Sequence, residues 1–233
     1  YVLYLIGKYD FEMSAPALRK LTARWFYFSS LTGRYTGSAE TQMEQDLNTI
    51  EKGRSVGETL EDITSRLINA EITDDYWNIT LPTSGLVSAA GRNPAMFAYY
   101  AALNILGARV LFSNLTTVQL MEDGVREKRS ALERHHLFPR KYLERSGVQD
   151  RTEINQVANY ALVEWGDNND ISDKKPSEYL PDYVSRFAEE DRKQMYYWHA
   201  LPESWEEMEF PAFLEERRKR MAVVIRDAFE KLK

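Results

Sequence analysis

The stretch from Leu132 to Leu180 constrains the fold more than any other. It reads LERHHLFPRKYLERSGVQDRTEINQVANYALVEWGDNNDISDKKPSEYL. Two adjacent histidines, His135 and His136, precede an apolar pair and Pro139. Asn159 then opens a β-prone run, YALVEW, and a polar cluster containing Asn168 follows. Leu132 to His135 reads as a short strand ending in a loop, and Tyr160 to Trp165 as a strand returning beside it. Gly166 turns the chain, and a helix begins or is approached over Asp170 to Lys175. Imidazole is the side chain best suited to take a proton near neutral pH. Imidazole, amide and carboxylate groups also hold divalent cations. A histidine pair at one strand end, facing Asn and Asp from a returning strand and helix, can build a small metal site.

Most of the remaining chain has helical patterning. Ser14 can cap a helix with Pro16 in its first turn, running to about Leu31 with Leu18, Leu21, Trp25 and Phe28 at helical spacing. Ser38 precedes a helix from Ala39 that places Met43, Leu47 and Ile50 on one face and ends at Gly53. A further helix covers Glu58 to Ala70, and Leu81 to Gly91, with Pro82 and Gly85, is irregular. Asn93-Pro94 starts the most apolar helix, Ala95 to Leu106. Gly107 to Thr117 is open between strand and loop. Arg140 to Ser146 is a brief helix closed by Gly147. After Pro181 come helices over Tyr183 to Ala188, Asp191 to Tyr197 and Ala212 to Lys231. The last puts Phe213, Met221, Val224, Ile225 and Phe229 close to one face. The expected class is mainly α: a helical region over 1–125, a small strand-bearing motif over 126–182, and C-terminal helices over 183–233 packing on the rest.

Composition narrows the function classes. With 43% hydrophobic and 12% aromatic residues the chain is a folded globule rather than a disordered one. It has no cysteine, which excludes disulfides, thiol catalysis and cysteine zinc knuckles, and is compatible with a reducing cytoplasm. No signal peptide is visible. The longest apolar tract, Met96 to Phe112, contains Asn104, Gly107 and Arg109, so it reads as a buried helix and its exit rather than a membrane span. A cytoplasmic protein without a membrane segment is expected. The formal net charge of −6 argues against strong intrinsic nucleic-acid affinity. Locally the balance reverses: Arg126, Lys128, Arg129, Arg134, Arg140, Lys141 and Arg145 face only Glu127, Glu133 and Glu144 over 126–145. The run Arg217 to Arg220 follows Glu215 and Glu216 and reads as a solvated helix face with local ion pairs. His199, within YYWHALP, reads as a packed member of an aromatic cluster.

The ordered residues resemble the His-Asn-His nuclease fold, the ββα-metal finger. More narrowly, they resemble the C-terminal nuclease domain of GmrSD-like modification-dependent restriction enzymes. That pattern is His-[Ile/Leu]-Phe-Pro, a spacer, Asn-x-[Ile/Val]-x-Asn, a short apolar strand, then Asn before a helix with a Pro-x-x-Tyr-Leu-like ending. This chain has His136-Leu137-Phe138-Pro139, Asn155-Gln156-Val157-Ala158-Asn159, Asn168 and Pro176-Ser177-Glu178-Tyr179-Leu180. The segment Arg34 to Leu47, RYTGSAETQMEQDL, is similar to the helical middle region of the same proteins. The resemblance implies a helical domain with an embedded ββα-metal motif. Those enzymes also carry an N-terminal nucleotide-hydrolysing domain with an Asp-Gly-Gln-Gln-Arg-type motif. Neither that motif nor a Walker-type loop occurs here. Because the chain opens at Tyr1 in mid-pattern, a covalently linked N-terminal sensor domain is expected beyond it.

By this resemblance His136 is the general base, His135 the first metal ligand, and Asn168 the second ligand through its amide oxygen. Asn159 ties the two strands together and shapes the loop that holds the base. The wider family commonly has Asp at the position of His135. A histidine there weakens an oxygen-only site and brings Mn²⁺ or Ni²⁺ alongside Mg²⁺. Glu133 shares a strand face with His135 and can support the metal ligand from behind. Asp167 and Asn169 flank Asn168, which is chosen by its spacing from Asn159. Arg140, Lys174 and Lys175 are candidates to meet a phosphate. The expected function is a metal-dependent DNA endonuclease, the effector of a restriction or anti-phage system. Its partners would be DNA, modified or phage DNA included, the linked sensor domain, and a second copy for a double-strand cut. The alternative is a helical DNA-sensing or interaction module that retains a spent nuclease fold. An RNA-directed nuclease is a third reading, because the site chemistry does not distinguish sugars.

Overall fold

The computed structural model describes residues 13–90, 93–123 and 132–233. The parts of the expectations above that fall on residues 1–12, 91–92 and 124–131, Arg126, Lys128 and Arg129 among them, lie outside the described residues.

Helix α1 (Ala15–Thr32) starts where Ser14 Oγ accepts the Ala17 N–H and stops at Gly33, which takes φ 66. Its spaced residues, Leu18, Leu21, Trp25, Phe28 and Leu31, are buried. Helix α2 (Ala39–Ser55) runs through Gly53 instead of ending there. A Cβ on Gly53 would lie 2.7 Å from Ile63. The missing side chain therefore lets α2 approach α3 (Leu60–Glu71) and is not used to turn the chain. The expected apolar face of α2 is only partly core: Ile50 is buried, but Met43 and Leu47 remain 47% and 38% exposed. Tyr76–Gly85 is a π-helix rather than an irregular loop. Its wide turns carry i→i−5 bonding, such as Leu86 N–H to Leu81 O at 2.9 Å, and Pro82, which has no N–H to donate, sits within it.

Helix α4 (Pro94–Leu106) has its first N–H groups, from Ala95 and Met96, capped by the Asn93 side chain, and Gly107 ends it at φ 69. The segment after Gly107 is a loop with isolated bridges, one of them Leu111 beside Val163, and leads to α5 (Thr117–Asp123). Strands β1 (Leu132–His136) and β2 (Tyr160–Glu164) pair antiparallel, with Leu132 opposite Glu164 and His136 opposite Tyr160. Between them lie α6 (Arg140–Arg145), α7 (Arg151–Ile154) and a 3₁₀ turn, Val157–Asn159.

Helix α8 (Trp165–Ile171) follows β2 without a break. Trp165 therefore opens a helix instead of closing the strand, and Gly166 lies in the first helical turn. Glycine's cost in a helix is the conformational freedom it loses, roughly 0.5–1 kcal/mol relative to alanine, and the helix carries it. Helix α9 (Pro176–Val184) begins at Pro176 and passes through Pro181, earlier than the proline signal suggests. Pro181 removes one helical bond, and the burial of Tyr179, Leu180 and Tyr183 against the core offsets it. Helix α10 (Glu189–Trp198), a 3₁₀ turn (Trp205–Glu207) and α11 (Phe210–Lys231) complete the chain. The fold is mainly α, with a single two-stranded sheet among the described residues. No described helix is long and apolar enough to cross a membrane.

Helix α11 packs against α4 and the π-helix. Phe213, Met221, Val224, Ile225 and Phe229 are all buried. So is Arg217, one turn beyond Phe213 on the same side, which corrects the expectation of a solvated face there. Its Nε donates to His199 O at 3.1 Å and its Nη1 to Ala158 O at 2.6 Å. Lys219 and Arg220 do pair with Glu215 and Glu216, at 2.7 and 3.0 Å.

His199 is fully buried, with Nε2 donating to Arg109 O at 3.0 Å. Burial is the main reason its pKa falls from 6.5 to about 4, and the nearby Arg217 charge adds to it. Between these two values the unfolded chain binds a proton that the native chain refuses. Stability is therefore full above pH 6.5 and is lost as pH falls towards 4, by about 3 kcal/mol for this one group. Urea midpoints at pH 7 and pH 4.5 should show the drop, and His199→Gln should reduce it, leaving the share that buried His135 contributes. Equal pH slopes for both chains would remove His199 from the account.

Candidate functional site

Side chains alternate along β1, so Glu133 and His135 share one face of the sheet while Arg134 and His136 share the other. Helix α8 packs against both strands and presents Asn168 to the first face. Asn168 Nδ2 donates to Glu133 Oε2 at 2.6 Å, and Asn168 Oδ1 lies 2.9 Å from His135 Nδ1. A carboxylate can only accept, so Glu133 sets which end of the amide turns to the histidine. The amide oxygen must in turn receive the Nδ1–H. His135 is buried, and burial lowers its pKa from 6.5 to about 4 against the opposing effect of the Asn168 bond; the adjacent His136 lowers it further. The ring is neutral at pH 7. Its Nε2 is left as a buried lone pair without a partner among the described residues.

His135 Nδ1 and Asn168 Oδ1, 2.9 Å apart, can both face one divalent cation once Nδ1 has given up its proton, with the Glu133 carboxylate behind the amide; Nε2 lies on the opposite edge of the ring and is not part of that set. The set is sparse. Among the described residues, no group of three or more His, Cys, Asp or Glu side chains is gathered for a metal. Water and a bound phosphate would have to complete the shell, as is usual for Mg²⁺.

His136 is held differently. Its Nε2 lies 3.0 Å from Asn155 Oδ1, and the same oxygen accepts the Tyr160 hydroxyl at 3.1 Å. The imidazole lies 4.3 Å from the ring of Tyr160, its cross-strand neighbour. Since Asn155 Oδ1 accepts, Nε2 carries the proton and Nδ1 keeps its lone pair. Partial burial lowers the His136 pKa; the Asn155 bond offsets this in part, and the Arg140 and Arg134 charges lower it again. The result is an oriented, neutral imidazole, the form a general base requires.

Asn159 is fully buried and joins the turn after β1 to the approach of β2. Its Oδ1 accepts from Phe138 N–H at 2.9 Å, and its Nδ2 donates to Phe138 O at 3.1 Å and Ile154 O at 2.9 Å. The Tyr179 hydroxyl holds the neighbouring carbonyl of Leu137 at 2.7 Å. Asn159→Ala leaves three buried backbone groups unsatisfied and is expected to cost about 2–4 kcal/mol in urea unfolding. A loss under about 1 kcal/mol would mean that these bonds do not fasten the loop.

The other sequence candidates divide. Arg140 lines the cleft at the histidines, with its Nε on Glu144 at 2.7 Å. Asp167 lies 3.7 Å from Arg186 instead of meeting the site, and burial raises its pKa. Asn169 and Lys174 are exposed and lie outside the cleft, and Lys175 lies 3.6 Å from Glu207. The cause is the early start of α8. Successive helical residues rotate by about 100°, so when Asn168 faces the strand, Asp167 and Asn169 face elsewhere.

The cleft itself is about 440 Å³ and contains both histidines, Asn168, Arg134 and Lys141. Its two acidic residues are already matched, Glu144 with Arg140 and Asp173 with Arg145, each at 2.7 Å. Arg134 and Lys141 have no carboxylate partner among the described residues, which leaves the cleft cationic within an acidic chain. A larger groove of about 540 Å³ runs between α1 and α2 and is lined by Trp25, Phe26, Met43 and Leu47. Its one acid, Asp46, is bonded by Arg34, Tyr35 and Gln42. It offers no free acid or base. The sequence assigns no site role to Asn155, Tyr160 or Arg134, although Arg134 belongs to the basic run over 126–145. Asn155 was visible as the first residue of the Asn-x-Val-x-Asn run. Tyr160 required the strand register.

No family model and no solved structure matches the chain. It is similar to the uncharacterized protein MJ0686 of Methanocaldococcus jannaschii, with 26% identity over 165 residues, which is 69% of this chain and 25% of that protein. The chain thus spans about a quarter of the length of that relative.

Proposed function

We propose that this cleft is the active site of a metal-dependent phosphodiesterase that nicks or cuts DNA. The observation that carries the reading is the neutral His136 with Nε2 bonded and Nδ1 free, one residue from the Asn168-bound His135, in a cleft with uncompensated cations. Phosphodiester hydrolysis needs an activated water, charge neutralisation at phosphorus and help for the leaving oxygen. A bound divalent cation supplies the last two. His135 and Asn168 are the residues that would hold it, with Glu133 fixing the amide. His136 Nδ1 takes the proton from the attacking water, and Asn155 holds the Nε2–H so that the imidazolium forms without rotating. Asn159 keeps the loop after the histidines in place.

DNA as the substrate, and the role as effector of a restriction or anti-phage system, rest on the resemblance to the GmrSD-like nuclease domain. The extra length of MJ0686 is compatible with a nuclease carried beside other domains. A cysteine-free chain suits a cytoplasmic setting. The test is conversion of supercoiled plasmid to open or linear forms in Mg²⁺ or Mn²⁺, abolished by chelator. A folded chain that leaves plasmid intact with every divalent cation would reject the reading and favour a non-catalytic DNA-sensing module. Asn168→Ala is expected to weaken Mn²⁺ binding at least about tenfold by calorimetric titration. Unaltered affinity would move the metal away from this amide.

A further inference from the structure

The outer face of β1 carries a cation with an unusual environment. Arg134 is exposed and shares its strand face with His136. Its guanidinium lies 5.3 Å from the centre of the Tyr160 ring, and Nη1 is 3.7 Å from Met96 Sδ. Several surface arginines are matched, Arg109 with Asp191, Arg145 with Asp173, Arg220 with Glu216 and Arg226 with Asp74, while Arg19 and Arg151 have no ion pair among the described residues but lie outside the cleft. Arg134 has no such partner among the described residues. A ring and a thioether that accepts from Nη1 hold the group in place, while its other hydrogen-bond donors have no partner among the described residues. A planar guanidinium already held by stacking loses less freedom on binding and presents a fork that matches two phosphate oxygens. Within the same cleft Arg140 is partly neutralised by Glu144, and Lys141 is a flexible point charge.

Resting on the phosphodiesterase reading of the cleft, we infer that Arg134, stacked on Tyr160, is the residue that grips a backbone phosphate of the nucleic acid on the His136 side. Tyr160 thereby has two duties: its ring carries Arg134 and lies against His136, and its hydroxyl meets the amide that orients His136.

The experiment measures binding of a fluorescein-labelled DNA duplex by anisotropy across a salt series. It uses the non-cleaving His136→Ala chain, with plasmid cleavage by the wild type run in parallel. Arg134→Ala should raise Kd about tenfold at low salt and reduce the slope of log K against log salt by about one. Arg134→Lys should restore the slope but not the full affinity, because the charge returns without the fork. An exposed strand position tolerates both changes, and circular dichroism checks the fold. Unchanged Kd and slope in Arg134→Ala, with a wild type that cuts plasmid, would overturn the inference and leave the active-site reading standing. Full recovery of affinity in Arg134→Lys would overturn the forked grip. A wild type that neither binds nor cuts DNA would reject both.

Discussion

His136→Ala is expected to lower divalent-dependent plasmid cleavage by at least about 100-fold, the lower end of what a positioned general base contributes. The fold should survive. His136 is only partly buried, and its side chain meets Asn155 and Tyr160. When the ring is removed, Asn155 Oδ1 still accepts the Tyr160 hydroxyl, so no buried acceptor is stranded. His135 and Asn168, the residues proposed to hold the metal, lie on the opposite face of β1 and are untouched, so Mn²⁺ affinity should stay within about threefold. A chain that keeps its fold and metal but not its activity separates the base from the ligands. Cleavage at the wild-type rate would move the base to another residue.

Arg217→Ala should have the largest effect on stability, about 3–5 kcal/mol in urea or thermal unfolding. Arg217 is fully buried, and burial is what pulls its pKa down. Two carbonyls depend on it, His199 O at the end of α10 and Ala158 O just before Asn159. Truncation to alanine leaves a cavity and two unsatisfied acceptors. Arg217→Met fills most of the volume and removes a buried charge that faces no carboxylate among the described residues, so its cost should be smaller, about 1–3 kcal/mol. If alanine and methionine destabilise equally, the carbonyl bonds dominate and the cavity does not. If alanine costs less than about 1 kcal/mol, the residue does not fasten α11 to the loop. Because Ala158 adjoins Asn159, the alanine variant should also lose cleavage through a loosened loop.

Local chemistry was legible in advance. Ser14, Pro16 and Gly33 bracket α1, and Asn93, Pro94 and Gly107 bracket α4, because a cap bonds its own first or last turn. The strands around the histidines and after Asn159 were also readable from their bounds and composition. The errors came where a residue answers to a distant partner. Gly53 resembles a helix stop until Ile63 arrives beside it. Arg217 resembles a solvated charge until α11 is laid against the carbonyls of residues 158 and 199. Asn168 stands apart from Asp167 and Asn169 in the sequence only by its spacing from Asn159; the phase of α8, set by its start at Trp165, is what turns it to the strand.

What the residues by themselves determined was the kind of chemistry available: two imidazoles at a strand end, an organising asparagine, an amide in the following polar cluster, no thiol, and a mainly helical frame. Only the tertiary structure decided how those groups divide. Alternation along β1 sends His135 to Asn168 and Glu133 and sends His136 to Asn155 and Tyr160. Sequence order places the histidines side by side, whereas the pleat of the strand points them to opposite faces, and they share a site only because both line one cleft at the strand end. Each protonation state is therefore set by neighbours that arrive from β2, α8 and the 151–159 segment.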